Sequence, residues 1–312
     1  QPHQVLVAST GVIGKHFVDG LFEVGIAKAV AELGSTDGLD IVSGSNAAEA
    51  IMTTDTYAKQ AAVRFYLPHA DGSSNPYTIA GMVKGSGMIE PNMATLLGVF
   101  ATDALLSQEA ADNAFKQAID TSLNKLTIDS DTSTNDTVFF LSTGGASSAE
   151  AVIEYQSAAY YSLVEALTTL CVELARQLAA DGEGATKLVT VKVNGAVDDI
   201  QADMAARAVA NSPLVKTAIA GHDANWGRIA MALGKSGADF EQNQVNIKLM
   251  GLSVCHAGLA QPFDEDEALR LFAELPEIVI EADLGTGGNG STVIWTCDLT
   301  HGYIAINGDY RS

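Results

Sequence analysis

Basic side chains are the scarcest feature of this 312-residue chain: 17 Lys and Arg stand against 38 Asp and Glu, a formal charge of −21. Such a chain repels phosphate backbones, and no Lys/Arg cluster could track one, so nucleic acid is excluded as a partner. Cysteines are few as well. Cys171, Cys255 and Cys297 are odd in number, far apart and without a C-x-x-C pair, so neither a disulfide framework nor a zinc site is expected. No apolar run approaches the ~18 residues that a membrane-crossing helix needs. QPHQVLVAST has neither the basic nor the apolar region of a secretory signal, and a reducing cytoplasm is the expected compartment. The six His are scattered, none at metal-ligand spacing from another, so no metal is expected.

What is present is apolar: 47% of residues are hydrophobic, enough to fill a sizeable core. VLVAS at 5–9 reads as a strand entered in mid-domain, followed by the loop TGVIG and a helical stretch to Leu33. SNAAEAIMT at 45–53 reads as a short helix with Ser45 as its N-cap. AAVRFYL and YTIAGMVKG form a hairpin signature, and TLLGVF and VFFLSTGG are strands around a helix over roughly 107–123. Residues 149–180 carry apolar groups at helical spacing, among them Ala151, Tyr155, Leu163, Leu167, Leu170 and Leu174. From LVTVKVNGA at 188 the chain is strand-rich, with VNIKLMG, EIVIEADLG, STVIWTCDL and YIAIN and an amphipathic helix DEDEALRLFAEL. Long helices with consecutive antiparallel strands, and no strict βαβ alternation, indicate a layered α+β protein.

Three motif matches fail on inspection. GTGGNG at 285–290 is followed by a strand where dinucleotide binding needs a helix, so it reads as a hairpin turn. DSDTSTND has Thr134 in place of the turn Gly of a calcium loop, and Phe140 where the bidentate Glu belongs. GEGATK lacks the spacing of a phosphate loop. What remains is a set of polar clusters at strand ends: STGVIG, TTDT, KGSGMIEPNMAT, DTSTNDT, DGEGATK and INGDYRS. Each alone reads as a turn; together they suggest one convergent pocket.

STGVIG, TTDT, KGSGMIEPNMATLL, DGEGATK, SPLVKTAIAGHDANWGRI and CDLTHGYIAINGDYRS, in this order from about Val5 to Ser312, resemble the glutamate N-acetyltransferases, or ornithine acetyltransferases, of arginine biosynthesis. The resemblance implies a fold of the self-processing, N-terminal-nucleophile-like type with a smaller C-terminal α/β domain. It also implies a single chain that cuts itself between Ala94 and Thr95. Residues 1–94 would then be a partial α-chain region, and 95–312 a β-chain region with the nucleophile strand, a helical layer and a strand-rich subdomain from about 188. Thr95 would be both new N-terminus and nucleophile, its own amine serving as base. Thr10 and Gly11 would form the oxyanion hole, and Thr53 (or Thr54), Lys84, Thr95, Glu183, Asn307 and Ser312 would contact substrate.

The implied reaction moves acetyl from N2-acetylornithine to glutamate without metal or cofactor, with acetyl-CoA a further candidate donor and an α/β heterotetramer the implied assembly. Family members carry a segment before STGVIG that this sequence does not show, and the tail has Gly308 where Ala is more frequent. A related self-processing amidase or aminopeptidase, and a truncated non-catalytic chain, are the alternatives.

Overall fold

The structure is a computed structural model that describes residues 5–33, 41–68, 74–90, 96–145 and 152–309. Its first sheet has the order β1-β2-β3-β4, formed by β1 (Lys59–Pro68), β2 (Ser74–Lys84), β3 (Leu97–Thr102) and β4 (Thr137–Ser142). β1, β2 and β3 run antiparallel in the expected hairpin order, whereas β4 joins β3 in parallel after a crossover through a helix. One face of β2 is buried through Tyr77, Ile79 and Val83, and the intervening residues are more open. That alternation sets the sheet's inner side. A Cβ at Gly81 would stand 2.7 Å from the Phe100 ring, so only glycine lets β3 and the helix behind it approach this closely.

α3 (Gln108–Asp120) and α4 (Ala158–Ala180) cover the inner face, whereas α2 (Ile41–Ala50) lies against β1 and β2 and α1 (Leu21–Leu33) has no buried residue. Leu163, Leu167, Leu170, Leu174 and Leu178 are fully buried at spacings of three and four, a stripe that places about 1.5–3 kcal/mol of burial per side chain on the sheet. Ser157 caps the helix by accepting the N–H of Tyr160, so Ala151 and Tyr155 precede it rather than continue it.

The second sheet has the order β10-β5-β9-β6-β7-β8. Its strands are β5 (Leu188–Ala196), β6 (Asn246–Leu249), β7 (Leu252–His256), β8 (Leu259–Ala260), β9 (Glu277–Asp283) and β10 (Gly290–Cys297). It forms its own core with α5 (Asp199–Ala210), α6 (Pro213–Ala220), α7 (Trp226–Gly234) and α8 (Glu265–Glu274). Arg176 on α4 holds Glu277 on β9 with two bonds of 2.9 and 2.8 Å, a fork-on-fork pair that ties the two layers together. The last helix, α9, spans His301–Asp309.

Four sequence expectations are corrected. VLVAS is not a strand: Val5 to Ser9 lack a ladder partner among the described residues and Val7 is 76% exposed, and an alternating pattern without a partner strand does not make a β-strand. Ser45 lies inside α2, where its hydroxyl accepts from Gln60 rather than capping. GTGGNG does not close a hairpin, because β9 and β10 both pair with β5, which lies between them. The loop crosses the end of β5, with Leu284 N–H bonding Asn194 O and Thr286 N–H bonding Gly195 O. Its glycines permit backbone contact with residues 196–198, not a turn between neighbours. YIAIN is helical in α9. Thr300 accepts the Gly302 N–H as a cap, and the helix puts Tyr303 and Asn307, four apart, on one side.

Candidate functional site

Six separate stretches of chain meet around a cavity of about 410 Å³ at the end of the first sheet where β2 finishes and β3 and β4 start. Each of the six polar clusters singled out in the sequence contributes. Thr10, Gly11 and Ile13 come from the first loop, Thr53 and Thr54 from the second, and Lys84, Gly85, Gly87 and Met88 from the third. Residues 131–136 form another wall, Glu183 stands beyond the C-terminus of α4, and Tyr303 and Asn307 face in from α9. Leu96, Leu97 and Asp129 also line it. Of the expected site residues, Thr10, Gly11, Thr53, Lys84, Glu183 and Asn307 are therefore brought together, and Thr54 lines the cavity beside Thr53. Ala94, Thr95 and Ser312 lie outside the described residues.

Glu183 is 7% exposed, far from the surface position that a glutamate ordinarily takes. The Nδ2 of Asn307 donates to its Oε2 at 2.6 Å, and its backbone N–H donates to Ser86 O at 2.7 Å. Gly87 leaves room for it, since a Cβ there would stand 2.5 Å from Cδ of the Glu183 carboxylate and displace that group. Gly184 has φ +69 and would place a Cβ 2.5 Å from the Gly302 carbonyl carbon. Only glycine fits both the conformation and this approach, through which α9 is seated on the loop that carries Glu183. Thr300 adds a 2.6 Å hydrogen bond from its hydroxyl to Gly184 O.

The KGSGMIE loop is held from below. Asp129 accepts the N–H groups of Met88 and Ile89 at 2.6 and 2.9 Å and the Tyr303 hydroxyl at 3.2 Å. Met88 adopts φ 54, a left-handed conformation that these bonds stabilise. The hydroxyls of Thr54 and Ser86 meet at 2.6 Å. Burial lowers the Lys84 ammonium from its ordinary value, partly opposed by the negative charge of Asp55. Burial likewise pushes the Asp136 carboxyl up to about 7, against the pull of a Ser133 hydrogen bond and the Lys84 charge. Tyr303 is raised by burial and by the adjacent Asp129 carboxylate.

Beneath the cavity lies a fully buried ion cluster. Lys59 donates to Asp55 Oδ1 at 2.6 Å and to Asp181 Oδ2 at 2.5 Å, with no side-chain exposure of its own. Asp55 also accepts the Gly85 N–H at 2.7 Å and the Thr53 N–H at 3.0 Å. Its burial favours the neutral acid, but Lys59 and these two N–H groups outweigh that, and the carboxyl lies below its ordinary value. Sequence reasoning missed Lys59, Asp55, Asp181, Asp129, Asp136 and Tyr303. Asp55, Asp136 and Asp181 did stand within the polar clusters TTDT, DTSTNDT and DGEGATK, whereas nothing local marks Lys59, the first residue of a strand.

A small cavity with, among the described residues, one cation, several carboxylates and paired hydroxyls suits a zwitterionic ligand of amino-acid size. The comparisons with known proteins agree in kind. The model of the ArgJ family matches residues 1–312. Arginine biosynthesis bifunctional protein ArgJ of Symbiobacterium thermophilum is 46% identical over 312 residues, covering 100% of this chain and 74% of that protein. The Chlorobium chlorochromatii protein of the same name is 45% identical, covering 100% and 69%. A mitochondrial ArgJ of Schizosaccharomyces pombe is 42% identical over 313 residues, covering 98% and 67%. The crystal structure of arginine biosynthesis bifunctional protein argJ from Bacillus halodurans superposes with a TM-score of 0.65 at 37% identity, covering 68% of this chain and 98% of that one. With an α+β fold shared with that structure and a family match from end to end, the chain belongs to the ArgJ family.

Proposed function

We propose that the protein is a self-cleaving acetyltransferase that carries acetyl from N2-acetylornithine to glutamate on Thr95. The observation that carries this reading is the cavity. Leu96 and Leu97, the residues that follow Thr95 in the chain, line it together with Thr10, Gly11, Thr53, Thr54, Lys84, Glu183 and Asn307. Cleavage before Thr95 frees an amine of pKa about 7.7–8.0 on the same residue as the hydroxyl, giving nucleophile and base at one position. In the transfer, Thr95 Oγ attacks the acetyl carbonyl and its proton passes to that amine. Thr10 and Gly11 donate to the resulting oxyanion, a kind of contact worth about 3–4 kcal/mol of barrier. The amide bond then breaks, ornithine leaves with the proton, and the glutamate amine takes the acetyl group from Thr95 by the same steps reversed.

Lys84 is the ammonium for a substrate carboxylate, and Glu183 the carboxylate for a substrate ammonium. No metal or cofactor enters the step. The word bifunctional in the relatives' names supports a second, acetyl-CoA-dependent acetylation of glutamate at the same Thr95. Residues 95–312 are about 70% of the chain, close to the 68% that matches nearly all of the Bacillus halodurans chain, which supports pieces of 1–94 and 95–312. The two pieces would assemble as an α/β heterotetramer in the cytoplasm; among the described residues no helix is long and apolar enough to cross a membrane.

Intact-mass measurement of wild type and Thr95→Ala, with an assay of acetyl transfer from N2-acetylornithine to glutamate, tests the reading. Wild type should be cut at Ala94–Thr95 and show parallel double-reciprocal lines, while Thr95→Ala stays whole and inactive. A cut and active Thr95→Ala protein would refute it.

A further inference from the structure

Lys59 is absent from the cavity lining, yet the three loops that bring Thr53 and Thr54, Lys84, and Glu183 to it are tied to this one ammonium. Through Asp55 it reaches the N–H groups of Thr53 and Gly85, the neighbours of Thr54 and Lys84. Through Asp181, which also accepts the Thr56 N–H at 2.9 Å and the Thr56 hydroxyl, it reaches the turn that carries Glu183. Asp181 is the C-cap of α4, so the ammonium also lies at the negative end of that helix. A buried ion cluster of this kind is weak evidence for stability, because apolar side chains of the same volume often serve as well. What an apolar set cannot do is hold three separate loops in one mutual arrangement by directed bonds.

We propose that Lys59 is a positioning residue of the acyl-transfer site: by bonding Asp55 and Asp181 together, it sets the loops bearing Thr53, Thr54, Lys84 and Glu183 before a ligand enters. The proposal rests on the acetyl-transfer reading only for the naming of the substrates. A preset pocket spares the ligand the work of ordering its own contacts, so the effect falls on binding rather than on the bond-making step.

The test compares wild type with Lys59→Met and with the charge-neutral triple variant Lys59→Met/Asp55→Asn/Asp181→Asn, which removes the ammonium without leaving buried carboxylates unpaired. Amide hydrogen exchange of the ligand-free proteins comes first. In the triple variant the N–H groups of Thr53, Thr56 and Gly85 should exchange more than ~10-fold faster, while those of Ile79 and Phe100 in the sheet keep their protection. Steady-state kinetics should then show KM for N2-acetylornithine and glutamate raised by roughly tenfold or more with kcat nearly unchanged. Unaltered exchange at the three amides, or uniform loss of protection across the sheet with wild-type KM in the folded fraction, overturns the proposal. Absence of acetyl transfer in wild type refutes the functional reading instead, and leaves the exchange experiment to decide on Lys59.

Discussion

Gly87→Ala adds a single methyl group next to Glu183, and its consequence follows from distances alone. The new Cβ would stand 2.5 Å from the Glu183 Cδ and 2.7 Å from Oε1, where ordinary contact begins at about 3.4 Å or beyond. Residue 87 does not have a left-handed backbone, so alanine is not strained there and the carboxylate is the group that yields. It must shift by about 1 Å, which disturbs the bond that it accepts from Asn307 Nδ2 at 2.6 Å, while the Ser86 O bond to its backbone N–H keeps the main chain in place. Losing a charge-assisted hydrogen bond costs about 1.5–3 kcal/mol, or ~10–150-fold, and a 1 Å misplacement in a site is of similar weight at ~100-fold. The expected result is a KM for N2-acetylornithine raised by about one to two orders of magnitude, with cleavage at Ala94–Thr95 and the near-UV circular dichroism unchanged. Initial rates over a range of acetylornithine, with intact mass on the same sample, measure both. A wild-type KM would mean that Glu183 does not bind the substrate ammonium, whatever the crowding.

Three further outcomes can be checked. Glu183→Gln should weaken acetylornithine use by roughly 10-fold or more while leaving self-cleavage intact; equal loss of both by mass and rate assay would make Glu183 structural. Leu174→Ala, fully buried where α4 meets Gly81, should lower stability by about 2–5 kcal/mol in urea unfolding, and a loss under 1 kcal/mol would place it outside the core. Asp136 has a folded value of about 7 against 3.8 for a free side chain, so between these pH values the folded chain keeps a proton that the unfolded chain has released. Its contribution to stability therefore falls as pH rises from 4 to 7 and is gone above 7, and Asp136→Asn should flatten urea midpoints between pH 5 and pH 8; an unchanged slope would contradict the assignment.

Helix α4 was legible because Leu163, Leu167, Leu170 and Leu174 repeat at helical spacing over more turns than chance supplies. The β1–β2 hairpin and the α+β class were legible for similar reasons of period and punctuation. Where the reading failed, contacts outside the misread segment decided the outcome. Tyr303-Ile304-Ala305-Ile306 alternates like a strand, but a cap at Thr300 and the backbone of Gly184 settle a helix. The β9 and β10 segments are sequence neighbours with a glycine-rich link, yet β5 had already taken the place between them. The polar loops were legible as a set, whereas their convergence and the Lys59 cluster beneath them also need pairs 122 and 124 residues apart, Lys59–Asp181 and Glu183–Asn307.

The seating of α9 on the Glu183 loop also bears on how the protein is made. Asn307 follows Glu183 by 124 residues, and at about 5–20 residues per second a ribosome needs roughly 6–25 s to deliver it. During that interval the first sheet, α4 and the Lys59 cluster can all be in place while one wall of the cavity has not yet been synthesised. The nascent chain thus has a period in which its acidic pocket stands open, and the arrival of Gly302 against Gly184 is the event that closes it.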